Sequence, residues 1–139
     1  SIMLNGVRFG SIADNVYIGE NFEIIWKKGS DYAAAGWKIN GALEGNTLIV
    51  KADSDIPLRL RICEMDDKNQ VTYLDDGTHI FEIDLATMKQ ITKNSKKDPE
   101  WNKLGRKLNL SYIEKIVLEA KDGYAREGKP TVVKSISVK

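Results

Sequence analysis

Hydrophobic and polar residues alternate in short runs along most of the chain, and turn-forming residues separate the runs. The clearest pair of runs, 47–52 and 57–65, flanks the turn-forming segment Asp53-Ser54-Asp55. Both runs are rich in β-branched residues and leucine, which favour strands. We therefore predict that they form two paired antiparallel strands, around which the rest of the chain is organised.

The second of these runs has two chemically different faces. Every second residue along a strand points to the same side of its sheet. The residues of the apolar side are Leu58, Leu60 and Ile62, and those of the other side are Arg59, Arg61 and Cys63. We predict that the apolar side is buried and that the arginine side is available for binding.

Weaker patterns of the same kind predict further strands, about nine or ten in all, at spacings typical of an all-β sandwich. They occupy the segments 2–9, 15–18, 22–28, 37–40, 71–74, 79–85, 110–121 and 131–138. The exception is the segment 99–108. A capping Asp98, a proline at the first helical position and the spacing of Trp101, Leu104 and Leu108 predict one short helix there.

Size and charge narrow the class of protein without pointing to a partner. The 139 residues are enough for a single domain, residues 1–139, built around one core. The formal net charge is +1, so nucleic acid is not an expected partner. No segment approaches the roughly 20 apolar residues of a membrane span, and membrane association is not expected. Because the chain opens on Ser-Ile-Met, we expect it to be one module of a longer protein.

Three segments give the chain a resemblance to a known family. The first is 32–39, YAAAGWKI, a loop of small residues that leads into a strand; the second is the strand pair within 48–66. The third combines 110–118 with the closing run 133–138. Together they resemble the jelly-roll β-sandwich carbohydrate-binding modules attached to enzymes that degrade plant cell walls.

This resemblance implies both a fold and a function. The fold would be an all-β jelly-roll sandwich of two antiparallel sheets. The function would be non-catalytic binding of a cellulose- or hemicellulose-type polysaccharide (β-glucan, mannan or xylan), which holds an attached glycoside hydrolase on its substrate. The parent protein would then be secreted by a bacterium and act outside the cell.

The resemblance also raises the question of a metal. Many such modules bind a structural calcium ion through acidic residues near the chain ends, often including an aspartate in the last strand. The corresponding strand here, 131–138, has no carboxylate, so no cofactor is predicted. The acidic pairs Asp53/Asp55, Asp66/Asp67 and Asp75/Asp76 lack the ligand spacing of a calcium loop and are interpreted as turn formers.

Saccharide binding requires flat aromatic faces for stacking and fixed hydrogen-bonding groups for the hydroxyls. Trp26, Trp37 and Trp101 are the candidate platforms, and Tyr32 and Tyr73, which lie beside turns, are candidate edge residues. Core packing is the alternative for each tryptophan, because all three share a face with aliphatic residues.

Arg59 and Arg61 are the candidate hydrogen-bond donors, suited to adjacent hydroxyls or to a carboxylate. The alternative is that they pair with acids on neighbouring strands. The basic cluster between Lys89 and Lys107 is interpreted as a solvated loop rather than as a site for an acidic polymer.

Catalytic chemistry is not predicted. The chain has one histidine, His79, and one cysteine, Cys63, so a zinc cluster is excluded, and His79 is expected on the buried side of its strand. The alternative to polysaccharide binding is a structural or protein-interaction module of a multimodular secreted protein.

Overall fold

The computed structural model describes residues 2–13, 16–30, 32–65, 69–92, 100–101 and 105–139, with the backbone alone for Trp101. Strands dominate this part of the chain. In chain order they are β1 (Met3–Leu4), β2 (Val7–Arg8), β3 (Gly10–Ser11), β4 (Val16–Ile18), β5 (Glu23–Trp26), β6 (Ala34–Gly41), β7 (Thr47–Ser54), β8 (Leu58–Cys63), β9 (Gln70–Leu74), β10 (Ile80–Asp84), β11 (Glu100–Trp101), β12 (Ile113–Ala120) and β13 (Thr131–Val138). Two short 3₁₀ turns, Glu20–Phe22 and Tyr124–Glu127, complete the regular structure described.

The strands form two large antiparallel sheets and one small hairpin. The five-stranded sheet has the order β10-β7-β13-β5-β4, and the six-stranded sheet has the order β11-β9-β8-β12-β6-β3. Among the strands that the structure describes, β1 and β2 pair only with each other. Buried side chains from both large sheets form one continuous core, as expected for a sandwich.

The strand pairing is that of a jelly roll. Four pairs, β5–β13, β6–β12, β7–β10 and β8–β9, alternate between the two sheets. A long antiparallel double strip that is rolled onto itself produces this order. The predicted all-β jelly-roll sandwich is therefore confirmed.

The alternation of residues along β8 decides which side of the six-stranded sheet faces the core. Leu58, Leu60 and Ile62 are fully buried, as predicted. The apolar residues of β12 that face the same way are Ile116 and Leu118, and they lie opposite Ile62 and Leu60. The arginine side of β8 therefore points away from the core.

The predicted pairing of 47–52 with 57–65 is wrong, although both strands exist. Strand β7 lies in the five-stranded sheet and β8 in the six-stranded sheet, so residues 55–57 cross between the sheets. The Ser54 hydroxyl accepts a hydrogen bond from the Ile56 amide and donates to the Ile56 carbonyl. Buried Ile56 anchors the crossing. The Ser54 hydroxyl thus pairs the backbone amide and carbonyl of Ile56, which in a hairpin would pair with the neighbouring strand.

The helix predicted over 99–108 is also wrong wherever the structure describes that segment. Glu100 and Trp101 form strand β11 and pair with Thr72 and Val71. Residues 105–108 have no helical turn, and Gly105 has a φ of 64°, which a right-handed helix does not accommodate. Residues 99 and 102–104 lie outside the described residues. Pairing with an exposed sheet edge here overrides the local capping signal.

The first predicted strand, 2–9, is instead a tight hairpin. Asn5 and Gly6 both have positive φ, 53° and 77°, as the turn of a two-residue β-hairpin requires. The Asn5 side chain donates a hydrogen bond to the Ala42 carbonyl. The Ile2 carbonyl accepts a bond from the indole of Trp37, so this hairpin closes one end of the core.

Candidate binding face of the six-stranded sheet

The outer side of the six-stranded sheet carries Arg59 and Arg61, the two hydrogen-bond donors that the sequence singled out. One row of paired residues crosses all six strands, in the order Glu100, Thr72, Arg61, Val117, Gly36 and Gly10. The adjacent row places Arg59 between Leu74 and Glu119. We define the arginine face as this outer side, made by Arg59, Arg61, Cys63, Gln70, Val117 and Glu119, with Tyr32 beside it.

A buried carboxylate holds both arginines of this face. Glu119 is 1% exposed, and its Oε1 accepts a short hydrogen bond from Nε of Arg59. Its other oxygen lies 3.1 Å from Nη2 of Arg61. A buried carboxylate is retained only where opposite charges compensate its lost hydration. Glu119 therefore fixes the guanidinium groups of two residues that lie two positions apart on one strand, on the same face.

Arg61 also positions an aromatic ring. Its Nη2 donates to the Tyr32 hydroxyl over 2.7 Å, and its guanidinium carbon lies 6.0 Å from the centre of that ring. Its Nη1 donates to Oε1 of Gln70 over 2.7 Å. The side chain of Arg61 is 14% exposed, whereas Tyr32 is 43% exposed. Tyr32 thus presents an accessible ring whose hydroxyl end is tied to the sheet.

The floor of the arginine face is apolar and made of small residues. Ala34, Cys63 and Val117 form a buried cluster separate from the main core, and Ile12 and Ala13 pack against it. The amides of Ile12 and Ala13 bond to the Ala34 carbonyl, which holds that segment against β6. The face is consequently covered on its β6 side and is not a flat, fully hydrated sheet surface.

Three of the predicted saccharide contacts lie inside the core and not on a surface. Trp26 is 1% and Trp37 0% exposed. The Nε1 of Trp26 bonds to the Thr131 hydroxyl, and that of Trp37 bonds to the Ile2 carbonyl. Tyr73 is buried opposite Leu60, and its hydroxyl donates to the Met88 carbonyl. The expectation that these residues form platforms or an edge is therefore corrected.

Burial has a marked effect on the acidity of Tyr73. Removing the phenolate from water raises the pKa of Tyr73 far above its ordinary value. This tyrosine stays neutral and serves as a structural hydrogen-bond donor across the physiological range.

The remaining predicted site residues have mixed outcomes. Arg59 and Arg61 point outward as predicted, and their pairing with a cross-strand acid, the alternative reading, is confirmed for Glu119. Tyr32 lies beside them. Trp101 lies opposite Val71 in the edge strand β11, and its side chain is outside the described residues, so its role stays a prediction.

Sequence reasoning did not identify Glu119, Gln70 or Asp122 as neighbours of the arginines. The alternation along β12 places Glu119 on the side of the strand opposite Leu118 and Ala120, so its side chain faces outward. Only the register between β8 and β12 places it opposite Arg59. Asp122 follows the end of β12 and lies 3.1 Å from Nη2 of Arg59.

A second buried acid fastens the chain beyond β8. Arg106 donates two hydrogen bonds to the Glu64 carboxylate, at 2.9 and 2.6 Å. These bonds lower the pKa of Glu64, although burial alone would raise it, and the Asn109 amide adds to the lowering. Asn69 donates to the Arg106 carbonyl. This cluster ties the segment 105–109 to the end of β8.

The acidic turns and the histidine form local structure. Asp75 accepts bonds from the amides of Gly77 and His79 and pairs with the His79 ring, while Asp76 bonds to Thr78. The interpretation of Asp75 and Asp76 as turn formers is thereby confirmed. His79 precedes β10 in a turn with a φ of 58°, so its predicted place on the buried side of a strand is wrong.

Neither a metal cluster nor a membrane-spanning helix is found in the described part of the chain. Within those residues, no three side chains of His, Cys, Asp or Glu come together to hold an ion. None of the helical segments there has the length and apolar character needed to cross a bilayer. Asp66 and Asp67 lie outside the described residues.

No family model matches the chain, and neither a curated protein nor a solved structure matches it. The protein is therefore classified by its fold alone. It is a jelly-roll β-sandwich whose six-stranded sheet carries a polar outer face.

Proposed function

We propose that this chain is a non-catalytic polysaccharide-binding module and that its ligand lies on the arginine face. The observation that carries the proposal is the contact between Arg61 and Tyr32. It places an accessible aromatic ring directly beside guanidinium donors that are already held in position. Sugar rings need this combination, because their C–H faces stack on aromatic rings while their hydroxyls seek fixed polar partners.

Preorganisation strengthens such a site. Arg59 and Arg61 are held by Glu119, and Arg61 is further held by Gln70. Long side chains that are fixed before binding lose less conformational entropy when a ligand arrives. Tyr32 is restrained in the same way through its hydroxyl. Binding of a ligand to the arginine face therefore does not require the entropic cost of ordering Arg59 and Arg61.

The biological role that fits this proposal is targeting. A binding module in the same polypeptide as a glycoside hydrolase raises the effective concentration of the enzyme at an insoluble surface. Cellulose and hemicelluloses, namely β-glucans, mannans or xylans, are the proposed ligand class. The parent protein would then be a secreted bacterial protein that works outside the cell.

The test is affinity electrophoresis against soluble β-glucan, mannan, xylan and pectin. We expect retardation by at least one polymer, and we expect Tyr32→Ala to weaken it by at least about tenfold, since a stacked aromatic is a typical binding hot spot. Tyr17→Ala is the matched control. Tyr17 is 58% exposed on β4 of the other sheet, so its removal should change nothing.

Two results would overturn the proposal. Equal weakening by Tyr17→Ala and Tyr32→Ala would move the ligand away from the arginine face. Release of reducing sugar from any polymer of the panel would contradict the non-catalytic part. Circular dichroism of both variants checks that each keeps the wild-type fold.

A structural or protein-interaction module is the second candidate. The burial of Trp26 and Trp37 favours it, because both rings serve the fold and neither is available to a ligand. Absence of retardation by every polymer in the panel would favour this candidate over polysaccharide binding.

A further inference from the structure

Arg59 has two carboxylate partners in very different surroundings. Its Nε is bonded to Glu119, which is buried within the arginine face. Its Nη2 lies 3.1 Å from Oδ1 of Asp122, whose side chain is 85% exposed. Asp122 belongs to the turn that follows β12, where Gly123 has a φ of 82°. The inner partner is fixed, whereas the outer one is almost fully hydrated.

The outer partner can be replaced easily. An ion pair that includes a hydrated carboxylate adds little to stability, because water solvates that carboxylate nearly as well as the arginine does. The contact between the two side chains also involves only one carboxylate oxygen of Asp122 and one guanidinium nitrogen of Arg59. A planar guanidinium can bind a carboxylate through two parallel hydrogen bonds, one from each Nη atom. A carboxylate free of the backbone can adopt that geometry.

We propose that the outer end of Arg59 is a carboxylate-binding position and that the saccharide ligand is acidic. A uronic acid carboxylate would take the place of Asp122 on the two Nη atoms of Arg59, while Glu119 keeps holding Nε. The adjacent sugar ring would lie toward Tyr32. This inference rests on the proposed function. Among hemicelluloses it selects polymers that contain uronic acid, such as glucuronoxylan, and it adds acidic pectic polymers to the ligand class.

Charge complementarity in this position is local. The chain as a whole carries a formal charge of only +1, so no long-range field draws polyanions to it. The preference for an acidic over a neutral ligand would arise from the charge of Arg59 and from the displacement of Asp122 by the ligand. Asp122 therefore acts as an intramolecular competitor that an acidic ligand displaces and a neutral ligand leaves in place.

Matched polymers separate charge from backbone chemistry. The probes are glucuronoxylan and its carboxyl-reduced form, and polygalacturonate and its methyl ester, each measured by affinity electrophoresis and calorimetry. We expect the acidic member of at least one pair to bind about tenfold tighter or more. The preference should shrink between about 50 mM and about 500 mM salt, as expected for a partly exposed ion pair.

The variant Asp122→Asn tests the competitor directly. It should tighten binding of the acidic polymer about two- to fivefold, the range that an exposed ion pair supplies, and leave the neutral polymer unchanged. Asp53→Asn is the matched control, because Asp53 pairs with Lys134 over 3.3 Å on the other sheet and is also exposed. It makes the same charge change away from Arg59 and should have no effect. Arg59→Gln should abolish the preference for the acidic polymer.

The outcomes distinguish this inference from the function on which it rests. Equal binding of the acidic and neutral members of both pairs would overturn the inference while leaving polysaccharide binding intact. Weaker binding of the neutral polymer by Asp122→Asn would also overturn it, since Asp122 would then be a ligand contact. Failure of every polymer to bind would overturn both. Asp122 is exposed, so its replacement tests binding without disturbing the core.

Discussion

The indole Nε1 of Trp26 donates a hydrogen bond to Oγ1 of Thr131 over 2.9 Å, in the space between the two sheets. The Thr131 oxygen lies in turn 2.8 Å from the Ser54 hydroxyl. The indole nitrogen is therefore satisfied inside the protein, as buried polar atoms generally are. Trp37 is satisfied in the same manner by the Ile2 carbonyl and packs its ring against Phe9, with the ring centres 4.9 Å apart.

This burial predicts the fluorescence of the protein. In a Trp101→Phe variant the remaining emission comes from Trp26 and Trp37, and it should be blue-shifted because both rings are shielded from water. Acrylamide should quench it only weakly, and a bound polysaccharide should not change it. Strong quenching in the folded variant would contradict the burial of these rings. The same measurement in urea, where both rings become exposed, is the positive control.

The sequence was sufficient for most of the strands and for the two faces of β8, and insufficient for the edge strand β11 and for which strands are neighbours. Alternation along β8 correctly separates Leu60 from Arg61, because that choice depends only on the residues of one strand. Placing Glu119 opposite Arg59 depends on a register between segments sixty residues apart. Local periodicity does not contain that information.

The same limit explains the errors about aromatic residues. Trp26 and Trp37 each have the alternation of a half-buried strand, and which half is buried depends on the sheet that packs against it. The turn signal at residues 53–55 predicts a hairpin where the chain instead crosses between the sheets, because such a signal does not reveal whether the next strand stays in the same sheet. Tyr32 precedes β6 in a loop, and only its contact with Arg61 locates it beside the arginine face.

The second prediction concerns Gly36 of β6, which pairs with Val117 of the arginine face. A Cβ on this residue would lie 2.0 Å from the carbonyl oxygen of Ile116, a backbone atom that cannot move aside. Gly36→Ala should therefore lower the free energy of unfolding by about 3 kcal/mol or more, measured by urea denaturation.

Gly10 is a matched control for this change. It is paired with Gly36 in the same cross-strand row, and a Cβ there would meet no atom within 4 Å. Gly10→Ala should change the free energy of unfolding by less than about 1 kcal/mol. A similar decrease in the free energy of unfolding for both variants would show that the loss of glycine flexibility, and not the close approach of the β12 backbone, causes the destabilisation.

The third prediction concerns the charge of Glu119. Glu119→Gln preserves the shape of the side chain but leaves two guanidinium groups without their shared buried carboxylate. Breaking a buried ion pair from one side commonly costs about 3–5 kcal/mol of unfolding free energy. We expect a loss in that range at neutral pH, together with weaker polysaccharide binding, because Arg59 and Arg61 are no longer held.

An exposed acid provides the comparison. Glu127 lies 3.7 Å from Lys129, with both side chains about half exposed, and Glu127→Gln should cost no more than about 1 kcal/mol. A cost for Glu119→Gln as small as that for Glu127→Gln would mean that the arginines find equivalent partners without Glu119. In a double-mutant cycle, Arg59→Gln and Glu119→Gln should be strongly non-additive.

The last prediction is a pH dependence of stability that comes from Glu64. The bonds from Arg106 lower the pKa of Glu64 in the folded protein below the ordinary value of 4.5. The unfolded chain then binds the proton more readily, so acidification favours unfolding. The contribution of Glu64 to the free energy of unfolding is complete above about pH 4.5 and is lost as the pH falls through the lower pKa of the folded protein.

Urea denaturation of the wild type and of Glu64→Gln at about pH 7 and at about pH 3 measures this change. The free-energy difference between the two proteins should be largest at neutral pH and should shrink in acid. A difference between wild type and Glu64→Gln that stays constant with pH would mean that Glu64 contributes through packing alone.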